Sequence, residues 1–179
     1  MQRMLGKPVT ANLYDSIPEP PAEHSAGAVI VRMIDGLAFR YRWSLEGLDD
    51  KSLSFRPSES SMSLEELLEH LHFLAARLYA CFVEDTQLKP PEGGISAFRE
   101  ETLRLLKETR ECVLTMTESS LANCKIKVRS TGEKVSFWYA LNGPLSDALT
   151  HVGQVNAWRR LAGSPVPKAN VFLGRPPSS

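Results

Sequence analysis

Apolar residues recur at the three- and four-residue spacing of amphipathic helices in four segments of the chain. The first segment runs from Ala28 to about Leu45 and follows a candidate N-cap, Ser25. The second begins after an N-cap at Ser61 or Ser63, with two glutamates in its first turn. Its apolar strip predicts one buried face and consists of Leu64, Leu67, Leu71, Leu74, Leu78 and Phe82.

The third and fourth helical segments are separated by a stretch with a different period. The third predicted helix spans about 96–120. After it, KIKVRSTGEKVSFWYAL alternates apolar and polar residues around a turn at 130–133, which predicts a β-hairpin. The fourth helix is expected to start near Asn142 as its cap, to tolerate Pro144 in its first turn and to end at Gly163.

Four long helices with one short hairpin before the last of them predict an all-α four-helix bundle as a single domain over residues 25–165. Residues 1–24 include the segment IPEPPAEH, whose three prolines forbid a regular helix, and are expected to form an extended arm over the surface. Residues 166–179 form a proline-rich tail. Its apolar residues Val171, Phe172 and Leu173 are expected to dock on the bundle or on a partner.

Composition excludes several classes of protein. The 21 basic residues balance the 21 acidic ones, so no field of one sign attracts nucleic acid or anionic lipid. The three cysteines are odd in number and lack CxxC spacing, which argues against a disulfide framework and favours a reducing compartment. No apolar stretch is long enough for a signal peptide or a membrane span. We expect a cytoplasmic protein whose partners are small molecules or other proteins.

Polar residues interrupt the inner face of the last helix. Asp147 and His151 are four residues apart, so both side chains leave one face of the helix and can bind one ion. A third ligand must come from another helix. In the second helix, His70 lies at the edge of the apolar strip, whereas His72 is expected to point away from it, near Glu65 and Glu69. His70, Asp147 and His151 therefore form the candidate metal site.

The same residues also have structural explanations. A single histidine near an apolar face is often a hydrogen-bonded core residue, and a carboxylate in the first turn is favoured by the helix dipole. Gln154 and Trp158 are explained as well by an amide bonded to a neighbouring helix and by core packing. Spacing alone leaves both interpretations open.

Two stretches resemble the DinB and YfiT-like superfamily, whose members are regarded as metalloproteins. FRPSESSMSLEELLEHL is similar to the start of the family's second helix, in which a histidine, here His70, follows a glutamate, here Glu66, by four residues. THVGQVNAWRRLAG resembles the family's fourth helix, whose second histidine, here His151, precedes Gly-Gln by two residues. The first histidine of the family's HxxxH pattern falls on Asp147, which is a departure from that pattern.

The resemblance covers about residues 25–165 and implies an up-down-down-up bundle that forms a homodimer. It also implies a divalent ion in a cleft between helices: zinc or nickel, with iron or manganese as alternatives, because the carboxylate of Asp147 is a harder ligand than imidazole. Relatives include thiol-dependent transferases and isomerases, so a low-molecular-weight thiol is one expected substrate. The resemblance gives no reason to expect nucleic-acid binding.

Two functional hypotheses follow. The first is a metal-dependent enzyme, a hydrolase or a thiol S-transferase, in which Gln154 orients a ligand as a supporting residue; no residue stands out as the general base. Glu66 and Glu69 are more simply the solvated side of a helix. The second is a metal-free ligand-binding or dimerisation protein in which Trp138, Tyr139 and Trp158 line a pocket or an interface.

Overall fold

The helices and the hairpin follow each other in the order that the apolar pattern predicts. The computed structural model describes residues 12–83 and 89–178. A short 3₁₀ turn, Asp50–Ser52, lies between the first two helices. The elements are α1 (Ala26–Ser44), α2 (Leu64–Tyr79), α3 (Gly94–Thr115), α4 (Glu118–Asn123), β1 (Lys125–Lys127), β2 (Lys134–Ser136), α5 (Trp138–Ala140), a π-helical turn (Leu141–Leu145) and α6 (Ser146–Leu161).

The four long helices form a bundle in which α1 and α2 each pack against both α3 and α6. Apolar residues of all four helices meet in one core. The predicted all-α four-helix bundle with a hairpin before the last helix is therefore confirmed. None of the helices among the described residues is both long and apolar enough to cross a membrane. Fully buried core side chains include Val31, Ile34, Phe39, Leu64, Leu67, Leu68, Leu105, Leu106, Val152 and Val155.

The start of α2 is set by local chemistry. Ser63 is the N-cap, and its hydroxyl accepts a hydrogen bond from the backbone N–H of Glu66. The Glu66 carboxylate in turn accepts from the backbone N–H of Ser63, which completes a capping box. Of the two predicted caps, Ser63 is the one used. This cap sets the helical register that carries His70 two turns later.

The region between α3 and the hairpin differs from the prediction. The predicted third helix of 96–120 is broken at Met116, which is extended, and Thr117 then caps the separate helix α4. The predicted hairpin is confirmed: Lys125 pairs with Ser136, and Lys127 with Lys134.

The start of α6 is also a correction. Asn142 is not an N-cap, because the chain is already helical from α5 onward and passes through the π-helical turn Leu141–Leu145. Pro144 therefore lies inside a continuous helical segment rather than in a first turn, and the Ser146 hydroxyl donates to the Leu141 carbonyl at 2.7 Å. The predicted end is confirmed, since Gly163 follows the C-cap with a positive φ of 77°.

The arm does more than lie over the surface. Residues 1–11 lie outside the described part of the chain, but the described part of the arm inserts Tyr14 into the core, where it is 5% exposed. The Tyr14 hydroxyl donates to the carboxylate of Asp35 on α1 at 3.2 Å. This long-range contact ties the arm to the bundle and was not expected from the sequence.

The tail folds back onto the arm. Asn170 and Arg175 form an antiparallel bridge, and the Ile17 N–H donates to the Gly174 carbonyl at 2.9 Å. Gly174 has a φ of 65°, and a Cβ there would lie 2.6 Å from Ile17, so both conformation and space require glycine. The predicted docking residues do not cover the bundle: Phe172 is 91% exposed, and Val171 and Leu173 are about half exposed.

Candidate metal centre

Three side chains from α2 and α6 converge at the interface between these helices. His70 Nε2 lies 3.4 Å from Asp147 Oδ2, and His151 Nε2 lies 3.4 Å from Asp147 Oδ1. One ligand atom of each residue lies within 4.8 Å of both others. The imidazole rings of His70 and His151 meet edge to face at a centroid distance of 4.6 Å. The structure therefore brings together all three residues of the sequence-predicted site.

The contacts of Asp147 with the two histidines are long for hydrogen bonds. Hydrogen bonds that involve ring N–H groups and carboxylates are usually about 2.7–3.2 Å long. Both contacts of Asp147 are 3.4 Å, which is long for a hydrogen bond, and they involve different carboxylate oxygens. With one ligand atom from each residue, the three atoms lie within 4.8 Å of one another, so together they could hold one ion.

The second nitrogen of His151 is already engaged. Its Nδ1 lies 2.6 Å from Gln154 Oε1, one turn further along α6. Because an amide oxygen only accepts hydrogen bonds, Nδ1 carries the proton and donates to it. A neutral ring protonated at Nδ1 has its free electron pair on Nε2, the atom that faces Asp147. Gln154 thus sets the tautomer that a metal ligand requires.

The cluster is open on one side. The side chain of Asp147 is 44% exposed, that of His70 is 30% exposed and that of His151 is 15% exposed. A structural metal site is usually closed by four protein ligands, whereas a catalytic site keeps a position for water or substrate. Three protein ligands beside solvent correspond to the second kind.

An aromatic ring and an arginine extend the site along α2. The ring of Phe73 stacks on that of His70 with centroids 6.1 Å apart. The guanidinium of Arg129, which follows β1, lies 5.3 Å from the centroid of Phe73. Neither residue was recognised from the sequence, although the alternating KIKVR pattern placed Arg129 on the same strand face as Lys125 and Lys127.

His72 does not lie on the side of α2 that the helical pattern predicted. It is 2% exposed rather than on the polar side with Glu65 and Glu69, and its Nδ1 lies 3.2 Å from the Thr102 hydroxyl on α3. Burial lowers the pKa of His72 below its ordinary value. The prediction for His72 was wrong because two helices, α3 and α6, pack against α2. Together they bury a wider arc of its surface than the single apolar strip.

The other sequence candidates have structural roles or lie elsewhere. Glu66 belongs to the capping box and Glu69 is exposed, so neither contacts the cluster. Trp158 is half-buried and packs against the core. Cys81 and Cys124 line a separate cleft near the end of α2.

Two buried charges escaped the sequence analysis. Asp35 is fully buried and accepts a hydrogen bond from Arg110 Nε at 2.7 Å. Arg159, near the end of α6, is 1% exposed and donates to the backbone carbonyls of Ser44, Glu46 and Ser164. Apart from Ser164, the partners of both residues are distant in the chain, so no local pattern signalled the burial of either charge.

Comparison with known proteins gives a match at the level of structure. No family model matches the sequence, and neither does any curated protein. Among solved structures, a DinB-like protein, YjoA of Bacillus subtilis, matches with a TM-score of 0.58 and 19% sequence identity. The match covers 82% of this chain and 99% of that one. The chain therefore has the DinB-like fold that its two sequence motifs indicated.

Proposed function

We propose that the protein is a metal-dependent enzyme, a hydrolase or a thiol S-transferase, that holds one divalent ion between His70, Asp147 and His151. The observation that carries the proposal is the convergence of three ligand atoms within 4.8 Å at a solvent-facing point of the α2–α6 interface. Zinc and nickel suit two imidazoles and a carboxylate, and iron and manganese are the alternatives.

A bound divalent ion supplies one chemical capability here, which is to lower the pKa of a water or thiol in its open position so that the anion forms near neutral pH. The other contributions come from side chains of the protein. Gln154 holds the His151 tautomer, and the Asp147 carboxylate lies between the two histidines, 3.4 Å from the Nε2 atom of each. The exposed side of the cluster admits a small substrate.

The metal is tested on protein purified without a histidine tag. Elemental analysis should find close to one transition-metal ion per chain, and this ion should be lost in His151→Ala. His24→Gln is the matched control, since His24 is exposed on the arm and away from the cluster. Equal metal content in both variants, or no metal in the wild type after incubation with zinc and nickel, would overturn the metal site.

The reaction is tested separately on the metal-loaded protein. One assay measures ester hydrolysis, and a second measures the transfer of a low-molecular-weight thiol to an electrophilic aromatic chloride. We expect one of these activities to depend on added metal and to disappear in His70→Ala. A fully loaded protein that shows neither activity would reject this enzyme class while leaving the metal site standing.

An exposed aromatic pair favours a second candidate function, a non-catalytic ligand-binding or homodimerisation protein. Trp138 is 75% exposed and Tyr139 is 60% exposed, although aromatic residues are enriched in interfaces rather than on free surfaces. Analytical ultracentrifugation should show a dimer that dissociates in Trp138→Ser. Phe172→Ser, which changes another exposed aromatic residue, is the control. If the wild-type protein is monomeric, homodimerisation is rejected for both candidate functions.

A further inference from the structure

A cleft of about 670 Å³ lies between the C-terminal turn of α2 and the β1–β2 hairpin. Its lining is strongly basic. Among the described residues that line it, none is acidic, and the cations are Arg77, Lys125, Lys127 and Lys134. Four positive charges therefore surround one concave surface, although basic and acidic residues balance in the chain as a whole.

Three of these charges are held together by the hairpin register. Lys127 is paired directly with Lys134, and Lys125 lies two residues before Lys127 on the same strand face. The opposite face is buried, since Ile126 is 6% exposed. Like charges directly opposite each other destabilise a hairpin. The arrangement costs free energy that a bound anion would offset.

No carboxylate among residues 12–83 and 89–178 neutralises these charges. Within the described residues, none of the four cations forms an ion pair with a carboxylate. The two thiols of the cleft add no negative charge either. Burial raises the pKa of Cys81 to about 12 and also raises that of Cys124, so both remain protonated near neutral pH.

Side chains along α2 connect the basic cleft with the candidate metal centre. His70, Phe73 and Arg77 are three and four residues apart on α2, which places them along one side of the helix over about 10 Å. Arg129 bridges the gap from the hairpin, with its guanidinium over the Phe73 ring. It is exposed, and among the described residues it has no ion-pair partner. Arginine in this position presents free donors to a planar or tetrahedral anion.

We propose that this basic cleft binds a small molecule with two or more anionic groups, phosphate or carboxylate, held by Arg77, Lys127 and Lys134, with Arg129 at the end nearest the metal centre. Arg77 of the cleft and His70 of the candidate metal centre lie two turns apart on one side of α2, so the anionic part of a substrate held at that centre is the occupant that the geometry favours. Anion binding needs no metal ion. Only the assignment of the anion to the substrate rests on the proposed function.

The test is isothermal titration of the full chain, treated with a chelator to remove metal, with inorganic diphosphate and in a parallel arm with citrate. The two arms distinguish phosphate from carboxylate recognition. In the double variant Lys127→Gln/Lys134→Gln we expect diphosphate to bind about tenfold more weakly, because two charge-assisted contacts are lost. The same variant should have a higher melting temperature than the wild type without anion, since the like-charge pair is removed.

The matched control is Lys51→Gln/Lys168→Gln, which removes two exposed lysines outside the cleft and should leave the affinity unchanged. If both double variants bind diphosphate equally more weakly than the wild type, the loss of net positive charge explains the effect, and the proposal is overturned. It would also fail if neither anion binds, or if a single-stranded oligonucleotide binds more tightly than diphosphate through the same lysines.

Amide and guanidinium NMR signals test the continuity with the metal centre. Addition of diphosphate to the metal-free protein should shift the Nε–H signals of both Arg77 and Arg129. A shift at Arg77 alone would overturn the link to the metal centre. If diphosphate binds as expected while elemental analysis finds no metal, the anion site stands and the proposed function fails, so the two outcomes remain distinct.

Discussion

Two clusters in the bundle join a carboxylate to side chains from other elements, and they differ in burial and in the closeness of their contacts. Asp35 on α1 is fully buried and accepts from Arg110 at 2.7 Å and from Tyr14 at 3.2 Å. Asp147 on α6 is 44% exposed and lies 3.4 Å from each of two imidazoles. The first is a closed ion pair, and the second is an open group of potential ligands.

The difference separates a structural role from a binding role. In the first cluster a permanent cation, Arg110, supplies the charge that the buried carboxylate needs, although Asp35 Oδ2 has no hydrogen-bond partner among the described residues. Burial outweighs this arginine and raises the pKa of Asp35. In the second cluster no lysine or arginine among the described residues lies within ion-pair distance of the carboxylate, and the divalent ion that we propose would supply the positive charge there.

The largest expected effect comes from breaking the closed cluster. Asp35→Ala leaves the Arg110 guanidinium and the Tyr14 hydroxyl without their acceptor in a buried position and should lower the free energy of unfolding by about 3–5 kcal/mol. Asp147→Ala in metal-free protein should change it by less than about 0.5 kcal/mol. Urea denaturation of both variants measures the contrast, and similar losses would remove the distinction between the clusters.

Metal binding at the open cluster should stabilise the folded protein. A divalent ion at about one hundred times its dissociation constant should raise the free energy of unfolding by about 2.7 kcal/mol. The measurement is the denaturation midpoint with and without zinc, followed by addition of a chelator. Asp147→Ala is the control and should respond weakly. A zinc effect of the same size in that variant would place the ion elsewhere.

Gln154→Ala should weaken metal binding by about 10- to 100-fold, because the His151 ring loses the acceptor that orients it and sets its tautomer. A competition titration with a chromogenic chelator measures the affinity. Thr150→Ala alters an exposed residue of the same helix and should leave it unchanged. Equal affinities of Gln154→Ala and wild type would show that the amide has no supporting role.

The smallest expected effect distinguishes the buried histidine from those of the cluster. Burial lowers the pKa of His72 below its ordinary 6.5, so the unfolded chain binds a proton more readily than the folded one. The stabilising contribution is complete above pH 6.5 and is lost as the pH falls from there through the lower folded-state pKa. One proton limits the slope to about 1.4 kcal/mol per pH unit. His72→Gln should flatten this part of the curve from pH 7 to pH 5, measured in urea, whereas His24→Gln should not.

The sequence correctly predicted the helix ends and the turn that are stabilised by residues close to them in the chain. The Ser63 cap, the Gly163 helix end and the hairpin turn all involve partners within a few positions, and all are found as predicted. The Asn142 cap was wrong because the helical conformation begins upstream, in α5, and continues through the π-helical turn that contains Asn142. The break at Met116 left no turn signal of glycine or proline.

The candidate site was predictable only in part. The spacing of Asp147 and His151 placed two candidate ligands on one helix face, and the position of His70 at the edge of the α2 apolar strip, together with the family resemblance, indicated it as the third. The burial of His72 was missed because it depends on α3 covering a second face of α2. Arg129 was missed because its partner, Phe73, lies on an element far away in the chain.

By itself, the sequence determined the helices, the hairpin and the pair of ligands on α6, since helical spacing, capping and turn chemistry act between residues that are close in the chain. Only the tertiary structure decided that His70 reaches Asp147, that Asp35 is buried beside Arg110 and that four cations surround one cleft. These contacts join residues brought together by helix packing, and the packing depends on the whole core at once.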